Sequence, residues 1–269
     1  MLLHFNARTT LLVACLLVIL NASPAQAVGT TDKREIIRQA RAAYYNLRNH
    51  GLVSFQADVQ PNWRLVLKDQ LTTNPVSAEE AVRLLNGIRT TAAIGKDGAV
   101  SVDNREDVAP SNEQQAKGFA QVLSGMQQAA SGFLDSWKPF MLTSPFPEVS
   151  GNYTVDEIGA EYRLRYNEGT SIVRTAMSKN LLIREIKVTG PQFTSVFNPR
   201  FTKSEQGFLL SGYEAVYTDS SGVSLVDVQI DNQPVDGFEL PHNLDLRGSY
   251  HGTPFVMTLT FSNYRLESR

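Results

Sequence analysis

The side chains suited to acid–base or metal chemistry are few and scattered. Beyond the first 27 residues the histidines are His50, His242 and His251. His242 and His251, with Asp245 between them, supply imidazole and carboxylate, the ligand types of a hard or borderline metal site. His242 follows Pro241 and His251 precedes Gly252, positions that also suit solvated loop histidines. His50 closes a helical pattern, where a cation is favoured. Asp156, Glu157 and Glu161 are the carboxylates that would pair for general acid–base work. Alternating with apolar neighbours, they equally fit the solvent face of a strand. The chain holds no Gly-x-Ser-x-Gly elbow, no His-Glu-x-x-His, no phosphate-binding loop and no dinucleotide fingerprint. No cofactor is expected.

A second group of candidates is aromatic. Trp63, Phe133, Trp137 and Phe140 are the candidate ligand-binding residues, with Phe146 beside them in a proline-rich stretch. They sit at the edges of helical patterns and near that stretch, where they could line the mouth of an apolar cavity. Plain helix–sheet packing is the competing reading for each of them.

The N-terminus predicts export. Arg8 precedes ten consecutive apolar residues, Leu11 to Leu20, and Ala25-Gln26-Ala27 supplies a small-residue cleavage site. The run is too short to span a bilayer, which takes about 20 residues, and right for a secretory signal. Cleavage is expected after Ala27, giving a periplasmic or secreted protein. Leu12-Val13-Ala14-Cys15 also matches a lipobox, but five apolar residues follow the cysteine instead of a polar tether. Cys15 is the only cysteine, so a chain starting at Val28 has no disulfide and no thiolate site.

The whole chain has 25 Lys and Arg against 27 Asp and Glu. Losing residues 1–27 removes Arg8 alone, which leaves 24 against 27. Without a basic run, a nucleic-acid partner is not expected. No other apolar stretch is long enough for a transmembrane segment.

Elements that position these residues can be read from periodicity. Residues 31–49 carry Ile36, Ile37, Ala40, Ala43, Tyr44 and Leu47 at helical spacing. Residues 52–60 alternate as a half-buried strand. Residues 63–71 suit a short helix, and residues 77–88 a second one opened by a Ser77–Glu80 capping box. Residues 89–103 predict a hairpin about Lys96-Asp97-Gly98, and 103–110 a polar loop. Residues 111–137 predict a long helix, with Gly118, Gly125 and Gly132 able to admit a second backbone or merely to weaken it. Pro139, Pro145 and Pro147 mark 138–150 as a linker or irregular lid. From 153 to 266, short alternating runs predict an antiparallel meander with strands near 153–158, 160–167, 171–177, 181–189, 193–201, 208–218, 223–231, 243–250 and 254–265.

The expected fold is α+β: a curved antiparallel β-sheet, an unclosed half-barrel, covered on one face by helices. Residues 28–269 are expected to form one domain, helical in its first half.

The order of elements resembles the periplasmic lipoprotein carrier superfamily, the LolA/LolB/LppX-like proteins. The helix Glu35 to Leu47 followed by the strand Val53 to Val59 looks like the opening of that fold. Its close looks like Leu240-Pro241, the run Asn243 to Tyr250, then Phe255-Val256-Met257-Thr258-Leu259-Thr260-Phe261 and Tyr264. The resemblance implies an unclosed barrel with helices as a lid over an apolar cavity. It implies a lipid or a lipoprotein acyl chain as ligand. No functional residue of the family maps onto a position here. An envelope structural protein and a hydrolase with a dispersed site are the other readings.

Overall fold

The computed structural model describes residues 30–106 and 113–269. The expected signal segment 1–27 and positions 107–110 of the expected polar loop lie outside the described residues.

Helix α1 (Thr30–Ala42) buries Ile37 and Ala40 on one stripe. It ends seven residues short of the predicted end at residue 49. Tyr44 and Leu47 keep helical spacing, but their backbone pairs elsewhere. Tyr45 N–H donates to the Phe208 carbonyl at 3.1 Å, Phe208 N–H to the Ala43 carbonyl at 2.8 Å, and Leu47 N–H to the Met141 carbonyl at 2.7 Å. Strand β1 (Leu52–Pro61) follows, then α2 (Trp63–Val66), α3 (Lys68–Thr73) and α4 (Pro75–Asn86). The capping-box expectation fails. Asn74 is the N-cap and Pro75 the first helical residue, so Ser77 lies inside α4 and Glu80 pairs with Arg83 instead. Proline is pre-shaped for that first position and its missing N–H costs nothing there.

The hairpin is β2 (Ile88–Ile94) with β3 (Val100–Glu106). Helix α5 (Glu113–Met141) then runs four residues past the predicted end, through Pro139. Phe140 therefore sits in a helix and not in an irregular segment. Burial explains the extension, because Phe140, Met141 and Leu142 are all in the interior. Around Gly118, Gly125 and Gly132 no atom lies within 4 Å of where a Cβ would stand, so no second backbone approaches α5 there.

Nine strands complete the chain: β4 (Tyr153–Ile158), β5 (Glu161–Glu168), β6 (Ser171–Ser178), β7 (Ile183–Thr189), β8 (Phe193–Ser204), β9 (Gly207–Asp219), β10 (Gly222–Val235), β11 (Phe238–Tyr250) and β12 (Thr253–Ser268). All twelve strands make one antiparallel sheet in the order β3-β2-β1-β12-β11-β10-β9-β8-β7-β6-β5-β4. It is unclosed, with β3 and β4 at its edges.

Contacts of α5 require this sheet to curve. Trp137 meets Phe55 of β1 edge-on at 5.9 Å, while Phe140 stacks on Phe197 of β8 at 5.3 Å. Those strands are five places apart, about 24 Å in a flat sheet, whereas Trp137 and Phe140 are separated by about 4.5 Å of helix rise. Bulges supply the bend, with register shifts at Arg200/Phe201 in β8 and Asp231/Asn232 in β10. At Gly248 a Cβ would lie 2.0 Å from the Leu225 carbonyl oxygen, so β10 and β11 approach there as only glycine permits.

One end of the sheet is tied shut. The Tyr44 hydroxyl donates to the Leu181 carbonyl at 2.9 Å and accepts from Ile183 N–H at 2.7 Å. The Tyr45 hydroxyl accepts from Glu239 N–H at 2.9 Å. These two residues, with the Phe208 bridge, join the β6–β7, β8–β9 and β10–β11 connections. The β5–β6, β7–β8, β9–β10 and β11–β12 turns form the opposite rim.

Candidate functional site

The chemistry-bearing candidates do not assemble. His242 Nδ1 lies 3.2 Å from the Phe261 carbonyl, and the Asp245 carboxylate accepts from Thr258 at 2.8 Å. His251 is at the β11–β12 turn, stacked on Tyr250. Among the described residues no group of three or more His, Cys, Asp and Glu could hold a metal ion. Asp156, Glu157 and Glu161 lie on the edge hairpin β4–β5. Glu157 pairs with Lys179 and Glu161 with Arg163.

One Ser–His–Asp grouping does form, at the rim. Ser221 Oγ is 3.2 Å from His251 Nε2 and donates to Asp219. That order is wrong for a nucleophile, because the base should take the serine proton while the carboxylate orients the base. The group is exposed on turns and not in a cleft. Its hydrogen bonds from Ser221 hold the Asp219 carboxyl below its usual range.

The four aromatic candidates are all interior, between 0% and 4% exposed. Phe133 and Trp137 adjoin one another on α5, and Phe133 also meets Phe261 of β12 at 5.9 Å. Phe140 is held between Phe197 and Phe201. Trp63 is on α2, which packs on β12. The indole N–H groups of Trp63 and Trp137 are buried without a hydrogen-bond partner. Phe146 packs edge-on against Tyr44, and Arg41 clamps its carbonyl and that of Pro147 at 3.1 and 2.9 Å. The proline-rich stretch is thus fastened to α1.

Register brings together residues that no local pattern joins. Val155, Leu164, Thr175, Ile186, Phe197, Ala215, Val226, Gly248 and Phe255 stand directly opposite one another across β4 to β12. Residues paired this way share a face, and the Phe140 contact on Phe197 identifies it as the inner one. Val155, Leu164 and Thr175 are buried, whereas Ile186 to Phe255 are only half-buried. One row towards the closed end, Tyr213, Val228 and Leu246 are fully covered. One row towards the rim come Tyr153, Tyr166, Val173, Val188, Ser195, Tyr217 and Ser224.

The inner face near the rim therefore carries a half-buried apolar strip of Ile186, Phe197, Ala215, Val226, Phe255 and Met257. Polar atoms lie buried beneath it. The hydroxyls of Thr175 and Ser224, 1% and 8% exposed, have no hydrogen-bond partner. Glu168, at the rim, has its carboxyl pushed up by burial. The outer face differs. There a shallow depression of about 370 Å³ is lined by Arg200, Ser211, Gln229, Asp231, Asn243 and Asp245. The guanidinium of Arg200 pairs with Asp227 and reaches the Val228 carbonyl at 2.7 Å, so it serves the bulged ladder.

Both sheet edges carry charge, Asp103 and Arg105 on β3 and Asp156 and Glu157 on β4. Such edges resist strand addition, which disfavours assembly through them.

No protein-family model, curated protein or solved structure matches this chain.

Proposed function

We propose that this is an exported cell-envelope binding protein that holds an acyl chain, of a lipid or a lipoprotein, in a trough on the inner face of its sheet. In this reading the sheet is an unclosed half-barrel, α1 and α5 cover its inner face towards the closed end, and the ligand enters from the rim. That is the arrangement of the lipoprotein carriers the sequence resembles. Export rests on the N-terminal segment with its Ala25-Gln26-Ala27 site.

The observation that carries the reading is the half-buried row from Ile186 to Phe255. Binding sites for apolar ligands are concave and mostly apolar, with a few placed polar groups. Thr175 and Ser224 are polar groups beneath the strip, and their covered hydroxyls reach a ligand carboxyl or ester only when neighbouring side chains move aside. Each buried methylene contributes about 0.8 kcal/mol, so about ten of them bring a ligand into the micromolar range at best. Phe140 forms the inner wall. Phe133 and Trp137 back that wall and meet ligand only if α5 shifts, whereas Trp63 lies on α2 against β12.

Native mass spectrometry of the purified protein tests this. A bound species of lipid mass, lost on delipidation and restored by added fatty acid, supports the proposal. Protein that carries no lipid and takes up none refutes it.

A further inference from the structure

The outer face of the sheet carries a second row, offset by one residue from the trough. Thr154, Arg165, Arg174, Lys187, Val196, Val216, Leu225, Ser249 and Pro254 oppose one another across β4 to β12. Arg165, Arg174 and Lys187 are thus three cations on three adjacent strands, spanning about 10 Å. Like charges placed directly opposite destabilise a sheet. Among the described residues none of the three forms an ion pair. The nearest acids on that face are Glu185 and Asp156, each two residues further from the rim on its own strand. A self-repelling, unpaired ladder calls for an anionic partner.

The rest of the rim narrows what that partner is. Leu225 continues the same row at 37% exposure, with Val223 at 52% and Val256 at 46% beside it on the outer face. Tyr153 and Tyr250 line the inner edge, and Phe193 stacks on the buried Tyr217. Tyrosine is enriched at the boundary of lipid and water, where its ring is wet at one end. Exposed aliphatics beside basic residues mark surfaces that lie against anionic lipid. Two acids also stand at the rim, the half-buried Glu168 and Asp219, which is engaged by Ser221.

We infer that the rim formed by the β5–β6, β7–β8, β9–β10 and β11–β12 turns docks end-on against an anionic lipid bilayer, with Arg165, Arg174 and Lys187 at headgroup depth. The row lies only two or three residues from the turns, about 7–10 Å, which matches that depth. The trough opens on the same rim, so an acyl chain would pass between bilayer and trough without crossing water. That purpose rests on the acyl-chain reading, whereas the docking surface does not.

The test is flotation of the protein, as recovered from cells, with vesicles of phosphatidylcholine alone or with phosphatidylglycerol added. The expected result is binding to the anionic vesicles only, weakening as salt is raised. Arg165→Gln with Arg174→Gln and Lys187→Gln should weaken it on the order of a hundred-fold, and Arg174→Gln alone about five-fold. Neither variant should melt lower than the parent, because repulsion is relieved. Equal binding to both vesicle types, or a single and a triple variant that bind like the parent, would overturn the inference. Uptake of a dansyl-labelled fatty acid without vesicles is read in parallel. If uptake persists while docking is absent, only the docking surface fails. If docking persists without uptake, only the acyl-chain reading fails.

Discussion

Phe140 on α5 and Phe197 on β8 are stacked, with ring centroids 5.3 Å apart and planes 14° from parallel. The pair marks the boundary between two parts of the inner face. On the closed side of it, Tyr213, Val228 and Leu246 are fully covered. On the rim side, the same strands present apolar groups that are only half covered.

Phe133 lies on the covered side. Phe133→Ala should cost about 3–5 kcal/mol of folding stability. Fatty-acid uptake by the folded fraction should not change, because the ring packs on Trp137 and Phe261 on the covered side. Denaturant unfolding and probe titration on the same sample check this. A selective binding defect would move the site onto α5.

Tyr44 makes two of the hydrogen bonds that tie the closed end. Tyr44→Phe keeps the ring contacts with Phe146, Phe201 and Phe208 but leaves Ile183 N–H buried and unpaired. The expected cost is about 1–3 kcal/mol, measured by thermal or urea unfolding. Fast exchange of the Ile183 amide should accompany it.

Burial also sets a pH limit. Desolvation raises the phenol pKa of Tyr44, Tyr166, Tyr213 and Tyr264 well above the usual tyrosine range. The unfolded chain loses these protons near pH 10, while the folded chain retains them. The folded state thus binds more protons than the unfolded one above that pH, and stability falls as pH rises. Stability from these groups should be fully present below about pH 10 and be lost above it. Tyrosinate absorbance should appear together with loss of near-ultraviolet circular dichroism. Smooth titration of all four phenols in a folded protein would contradict their burial.

The mature N-terminus is expected to be Val28. Peptide sequencing of protein recovered from an exporting cell checks it. A lipid-modified Cys15 would instead make the protein membrane-anchored.

Strand-level alternation was legible because each strand of the meander carries its own period-two pattern. Leu164 between Arg163 and Arg165, and Val173 beside Arg174, already assign faces. What local pattern lacks is register. The row from Ile186 to Phe255 depends on turn lengths and on bulges such as Arg200/Phe201, which a strand's own residues do not announce. Helix ends failed for tertiary reasons. Tyr44 and Leu47 fit the helical stripe, yet their backbone serves β9 and α5. Pro139 signalled a stop, but burial of Phe140 and Met141 carries α5 past it. The aromatic candidates stand out by type and place, and Phe133 and Trp137 fall on the covered side of the Phe140–Phe197 pair. Ala215 and Val226, in the trough itself, have no feature that sets them apart from any other strand residue.

An acyl chain bound in the proposed trough would lie against Ala215. Ala215 stands between Phe197 and Val226 in the half-buried row, so Ala215→Trp fills the trough from within. Binding of a dansyl-labelled fatty acid is measured for parent and variant, with melting temperature as the check on folding. The parent should bind saturably in the micromolar range, and a folded Ala215→Trp at least ten-fold more weakly. Undiminished binding by that folded variant would place the ligand elsewhere and contradict the account.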